Sequence, residues 1–161
     1  MISLDVSKYK FRIDNLFNKC ERMDDLELSA HCARYLCILV SGFLDTSIQT
    51  IYSKYAEDCS NPKISSFVSK QLGRLTNLNM KKIEDLAKSF SDSWAKELTD
   101  FDQENNGQIK ASVDSVVANR NSIAHGRDVG ITHVTLKGYY KNIFKLVSFI
   151  EKQCKGELRK E

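Results

Sequence analysis

Residues that interrupt helices are scarce in this chain, with one proline and seven glycines among 161 residues. An all-β sandwich needs far more turn residues, so this scarcity points to a few long helices. Long hydrophobic runs are also missing. The most apolar stretch, Tyr35 to Leu44, is ten residues, about half of what a membrane span requires. The residues from Met1 to Leu16 alternate charged and apolar types at helical spacing, so no secretory leader is expected. No P-loop, dinucleotide-binding glycine pattern or nucleophile elbow is found. The five cysteines, Cys20, Cys32, Cys37, Cys59 and Cys154, include no C-x-x-C pair. Five is an odd number, and the expectation is buried free thiols in a reducing cytoplasm rather than disulfides or zinc ligands.

What is present is ordinary in bulk and uneven in detail. Hydrophobic residues make up 42% and charged residues 28%, close to a soluble globular average. Net charge is +3, yet residues 1–60 carry seven Lys/Arg against nine Asp/Glu, and residues 105–161 carry ten against five. The C-terminal third is therefore basic. A phosphate-handling surface has this composition, and so does a solvated lysine-rich helix face.

Apolar spacing is helical throughout. Val6, Tyr9, Ile13, Leu16, Phe17, Cys20 and Met23 step by threes and fours, predicting a helix over about 5–24. Asp24 and Asp25 are candidate caps for a second helix reaching about Glu57. At roughly thirty residues it would be about 45 Å long and covered on more than one side. Pro62 opens a shorter helix to about Leu75. Asn77 to Asn79 then cap a fourth helix carrying Ile83, Leu86, Phe90, Trp94 and Leu98. The polar stretch Thr99 to Gly107 reads as the main loop, and a fifth helix runs from about Gln108 to His125, stopped by Gly126. After a loop over Arg127 to Val134, a last helix carries Leu136, Tyr140, Ile143, Val147, Ile150 and Cys154. The expected fold is all-α: a single domain over residues 1–161, its core spanning about 5–155, built as one bundle of five to six helices. At this length a deep cleft is more easily made by two copies, so a homodimer is expected.

The fifth helix holds the informative residues. Its apolar stripe is Ile109, Val113, Val116, position 120 and Ile123, and position 120 is Arg120. The neighbouring stripe, Val117, Asn121, His125, adds two more polar groups. Burying such groups costs several kcal/mol unless they are paired or line a wet cleft. An arginine offers a planar fork of donors to phosphate oxygens. A histidine near neutrality moves protons to and from oxygen, and a helix C-terminus favours a cationic side chain. With no acidic cluster nearby to hold a divalent ion, these two residue types suit metal-independent cleavage of RNA, whose own 2′-hydroxyl is the nucleophile. The bland alternative is a helix-terminal histidine with Arg120 in a structural ion pair. His31 and His133 lack partners at metal-ligand spacing, so neither a metal nor a cofactor is expected. Tyr139 and Tyr140 could stack on a base, but Tyr140 lies on the apolar stripe and reads, like Trp94, as core.

The string Arg120-Asn121-Ser122-Ile123-Ala124-His125-Gly126 resembles the signature of the HEPN superfamily, an arginine and a polar residue followed by a histidine near a helix end. Phe43-Leu44-Asp45, Asn61-Pro62, Leu75 to Asn79, Trp94, Ile109 to Val129 and Tyr139-Tyr140 resemble its RiboL-PSP branch, a likeness covering roughly residues 25–150. This resemblance implies a helical bundle that dimerises through the motif helices, and a metal-independent endoribonuclease leaving 2′,3′-cyclic phosphate and 5′-hydroxyl ends. It implies Arg120 as the phosphorane stabiliser and His125 as general acid or base. Asn121 would orient the phosphate or the imidazole, and Asp45 would pair with Arg120 or cap a polar patch. Gly126 and Arg127 would lie along the RNA. A toxin or antiphage-defence role follows by the same resemblance, with a cognate antitoxin or defence-system partner. One subgroup carries, two residues after the histidine, a tyrosine modified by a partner nucleotidyltransferase. Arg127 stands there in this chain, so that mode of silencing is not expected. The competing expectation is a non-catalytic helical dimerisation or regulatory module that binds RNA, nucleotide or protein.

Overall fold

A computed structural model of the chain describes residues 4–158, and among these no strand is found. The outer ends of the expected 1–161 domain, with Arg159 and Lys160 of the basic third, lie outside the described residues. Seven helices follow one another: α1 Leu4–Cys20, α2 Leu26–Cys59, α3 Pro62–Leu72, α4 Met80–Phe90, α5 Asp92–Glu104, α6 Gln108–Ala124 and α7 His133–Leu158.

The expected five to six helices become seven because the fourth is two. Ser91 is extended at φ −161° and ψ 133°, and its hydroxyl lies 2.8 Å from that of Ser93. Short polar side chains compete with helical backbone bonding in this way, while the apolar spacing from Ile83 to Leu98 ran through the break. The expected loop over Thr99–Gly107 is likewise corrected. Helix α5 continues to Glu104 because Phe101 stacks on Phe149 of α7, centroids 4.2 Å apart. Only Asn105 to Gly107 turn the chain, with Asn106 and Gly107 left-handed at φ 56° and 71°. Gly107 has no side chain to cap α6, and Asp102 supplies the missing acceptor to Lys110 N–H at 2.9 Å.

Helix α2 is the axis of the bundle, packed against α1, α3, α6 and α7. Asp25 caps its start by accepting from Leu28 N–H. Asn61 caps α3, where Pro62 needs no N–H partner. Leu36, Val40, Phe43, Leu44, Ile48 and Tyr52 are fully buried and spread round the helix, as a central helix requires. By length and composition α2 is apolar enough to cross a membrane, although its apolar run is short; half of its most apolar stretch is buried inside the fold. Tyr52 stacks on Phe90 at 4.9 Å and packs on Trp94 at 6.0 Å, which ties the α4–α5 pair to the axis. Tyr140 is core, stacked on Phe17 at 5.6 Å.

The cysteine expectation is overturned in part. Cys20 and Cys32 form a disulfide, with Cα atoms 6.1 Å apart, within the range such a bridge spans. Helix α1 ends at Cys20, short of the expected residue 24 or so, and the turn to α2 brings the two thiols face to face. Cys37 and Cys154 are buried free thiols, but Cys59 is exposed.

Candidate functional site

Helix α6 carries Arg120, Asn121 and His125 into the open end of the α2–α6 packing. Its inner stripe, Ile109, Val113, Val116 and Val117, is buried. The stripe then changes character: Arg120 and Asn121 are half-buried and His125 is exposed. The polar groups thus occupy a wet edge of the bundle, which removes most of the cost of desolvating them. Arg120 Nη1 donates to Asn121 Oδ1 at 3.3 Å, so Asn121 orients the guanidinium. Among the described residues, the side chains of His125 and Arg127 make no hydrogen bond or ion pair, and both lie open to solvent.

The end of α6 is built around His125. His125 is the C-cap, at φ −94° and ψ 14°, and Gly126 follows in the left-handed region at φ 68°. Gly126 N–H donates to Ile123 C=O at 3.0 Å, and Arg127 N–H donates to Ser122 C=O at 2.9 Å. These two bonds form a complete Schellman motif, which satisfies the carbonyls a helix end leaves open. Glycine is required because a Cβ in that backbone region is strained. Beyond it, Asp128 is held by an ion pair to Arg34 of α2. Both ends of the Arg127 step are therefore fixed, and the imidazole projects from a defined corner.

Asp45 and Asp114 are engaged elsewhere. Asp45 accepts from Asn77 N–H and Leu78 N–H, both at 2.9 Å. It holds the turn between α3 and α4 and forms no ion pair with Arg120. Asp114 of α6 accepts from Met80 N–H at 2.9 Å and so caps α4 from outside. Among the described residues no group of three or more His, Cys, Asp or Glu is placed to hold a metal ion. Arg34 was missed by the sequence reading. A charge one residue before the apolar run from Tyr35 was the available signal, but nothing local connects it to Asp128.

A family model, RiboL-PSP-HEPN, matches residues 7–156. The chain belongs to that family. Neither curated proteins nor solved structures give a match. Members of the HEPN superfamily are all-α and frequently ribonucleases. In this HEPN domain the arginine and histidine of the signature share α6, and the asparagine between them holds the arginine. Its acidic residue in the second helix, Asp45, organises the α3–α4 turn instead.

Proposed function

We propose that this HEPN domain is a metal-independent endoribonuclease whose site is shared between two copies of the chain. The observation that carries this reading is the contrast within α6: Arg120 is half-buried and oriented by Asn121, and His125 is exposed and unpartnered at a rigid helix end. A held guanidinium is preorganised for the charge that develops on a phosphorane. A free imidazole is placed to exchange protons.

The reaction is internal transesterification. The 2′-hydroxyl oxygen attacks the adjacent phosphorus as a base removes its proton. The bond from phosphorus to the 5′-oxygen breaks, and an acid protonates that leaving oxygen. The products are a 2′,3′-cyclic phosphate and a 5′-hydroxyl, with no net proton consumed. The motif offers one histidine per chain, and the step uses one base and one acid. Two apposed copies supply both, with Arg120 from each bearing on the phosphate. Tyr35 and Ile38, 49% and 39% exposed on α2, are apolar surface suited to joining the copies beside α6. Arg127 and the backbone at Gly126 lie next to His125 and would contact the RNA. The role we infer is that of a toxin or defence effector acting on cytoplasmic RNA, restrained by a cognate partner.

Purified protein incubated with structured RNA in EDTA tests this. Cleavage leaving cyclic-phosphate ends is expected. Intact RNA across substrates, with tight binding retained, sinks the enzyme and leaves a binding module.

A further inference from the structure

From Cys59 to Ile83 the chain holds five basic residues, Lys63, Lys70, Arg74, Lys81 and Lys82, and no Asp or Glu. Helix α3 lies at the centre of this stretch. Lys63, Phe67 and Lys70 are spaced by four and three, which places them on one face of α3; Arg74 follows in the turn after Gly73, and all four are exposed. Phe67 is 63% exposed and Ile64 beside it 57%. The opposite face, with Ser65 and Leu72, is buried on α2. Among the described residues the side chains of Lys63, Lys70 and Arg74 make no hydrogen bond or ion pair. Lys81 is paired with Asp85, and Lys82 reaches the Thr76 carbonyl at 3.2 Å. The nearby acid Asp58 is paired with Lys54, and Glu57 lies beside Ser65 and Lys70.

Nothing in the fold of one chain needs an exposed phenylalanine set between three free cations. That combination suits single-stranded nucleic acid, in which phosphates meet the cations and a base stacks on the ring. A membrane surface would call for a larger apolar face than two side chains provide.

The same side of α2 connects this face to the motif edge. Gln49 Nε2 donates to Leu75 C=O at 2.6 Å, Asp45 holds Asn77 and Leu78, and Arg34 holds Asp128. Positions 49, 45 and 34 fall on one stripe of α2, so the segments they hold, Leu75 to Leu78 after α3 and Asp128 after His125, lie along one side of that helix. The rise from Asp45 to Arg34 is about 16 Å, so a strand of a few nucleotides can bridge from the end of α3 to His125.

We propose that the outer face of α3, with the turn that follows it, docks single-stranded RNA, with Lys63, Lys70 and Arg74 on phosphates and Phe67 stacked on a base, and leads the strand past the Leu75–Leu78 turn to Arg120 and His125. The proposal rests on the reading of that pair as an RNA-cleaving site. It also assigns the substrate a form: RNA with an unpaired stretch flanking the cut.

Binding of a labelled uridine-rich single-stranded RNA to full-length His125→Ala protein tests it. Combining Lys63→Glu, Lys70→Glu and Arg74→Glu is expected to weaken binding about tenfold or more and to reduce the salt-dependence slope by about 2. Phe67→Ala is expected to weaken binding about fivefold or more with an unchanged slope. If the reversed protein does not fold, the same three positions as glutamine are expected to give the same loss of slope. Variants that bind as tightly as their parent overturn the α3 face while leaving catalysis untouched. RNA left uncut by the wild type, with α3-dependent binding intact, overturns the catalytic reading alone. Phosphatidylserine vesicles that bind through Phe67, with no Phe67 effect on RNA, overturn the proposal in favour of a membrane.

Discussion

The backbone N–H of Arg127 donates to the carbonyl of Ser122 at 2.9 Å, and this bond closes the chain around His125. The residue between the two bonded peptides and the helix, Gly126, is left-handed at φ 68°. The imidazole therefore stands on a rigid corner although its side chain is free.

Gly126→Ala tests that corner. A Cβ there meets no neighbour within 4 Å, so the effect is backbone strain alone, a destabilisation of about 1–2 kcal/mol. Urea denaturation measures it, and Gly126→Asn is expected to cost less. A Gly126→Ala protein as stable as the parent contradicts the conformational requirement.

Catalysis separates the two motif residues. His125→Ala is expected to lower RNA cleavage about 10²- to 10⁴-fold. Arg120→Lys keeps the charge but loses the planar fork, and is expected to lower cleavage about tenfold or more. Single-turnover cleavage in EDTA reads both, and full activity in either variant removes that residue from the mechanism.

Asp45 is expected to act on stability. Asp45→Ala leaves the Asn77 and Leu78 N–H groups without their acceptors and destabilises by about 2–4 kcal/mol. Asp45→Asn retains one acceptor oxygen and loses about half as much. The measurement is the denaturation midpoint alongside cleavage by the folded protein at low temperature. Lost cleavage with unchanged stability would place Asp45 in the site instead.

Thiol chemistry follows from burial. Protein unfolded without reductant should titrate three free thiols of five, because Cys20 and Cys32 are bridged. In the folded protein at neutral pH, iodoacetamide should label Cys59 alone. Burial pushes Cys37 up to about 11 and Cys154 up to about 12. Both folded values exceed the ordinary thiol value of 9.0, so the unfolded chain releases these protons first. Their contribution is complete below pH 9.0 and is lost as pH rises from 9.0 towards 11. The loss is up to about 1.4 kcal/mol per pH unit for each thiol. Stability that is flat across that range contradicts their burial.

Sharing of the site between copies is read in solution. Ile38→Arg and Tyr35→Arg are expected to shift sedimentation from dimer to monomer and to abolish cleavage together. A monomer that still cleaves RNA rules out the composite site.

Local signals were sufficient wherever one short segment decides its own structure. Asp25 and Asn79 as caps, Pro62 as a helix start, Gly126 as a helix stop and the apolar stripes of α1, α2, α6 and α7 were legible as residue types at helical spacing. So was the Arg120–His125 pair, because a charge interrupting an apolar stripe is itself a sequence pattern. Features requiring two distant segments were not legible. The break at Ser91 lies inside an unbroken apolar periodicity, and α5 reaches Glu104 only because Phe149 stacks on Phe101. Pairing of Cys20 with Cys32 depends on how α1 turns into α2. The hold of Asp45 on Asn77 and Leu78, of Asp114 on Met80 and of Arg34 on Asp128 spans tens of residues each. Sequence alone determined an all-α chain with an arginine and a histidine on one helix, since periodicity and caps are local physics. Only the tertiary structure decided that this edge is wet, that His125 is free and that one stripe of α2 links it to the basic face of α3. Burial and long-range hydrogen bonds exist only once the helices have packed.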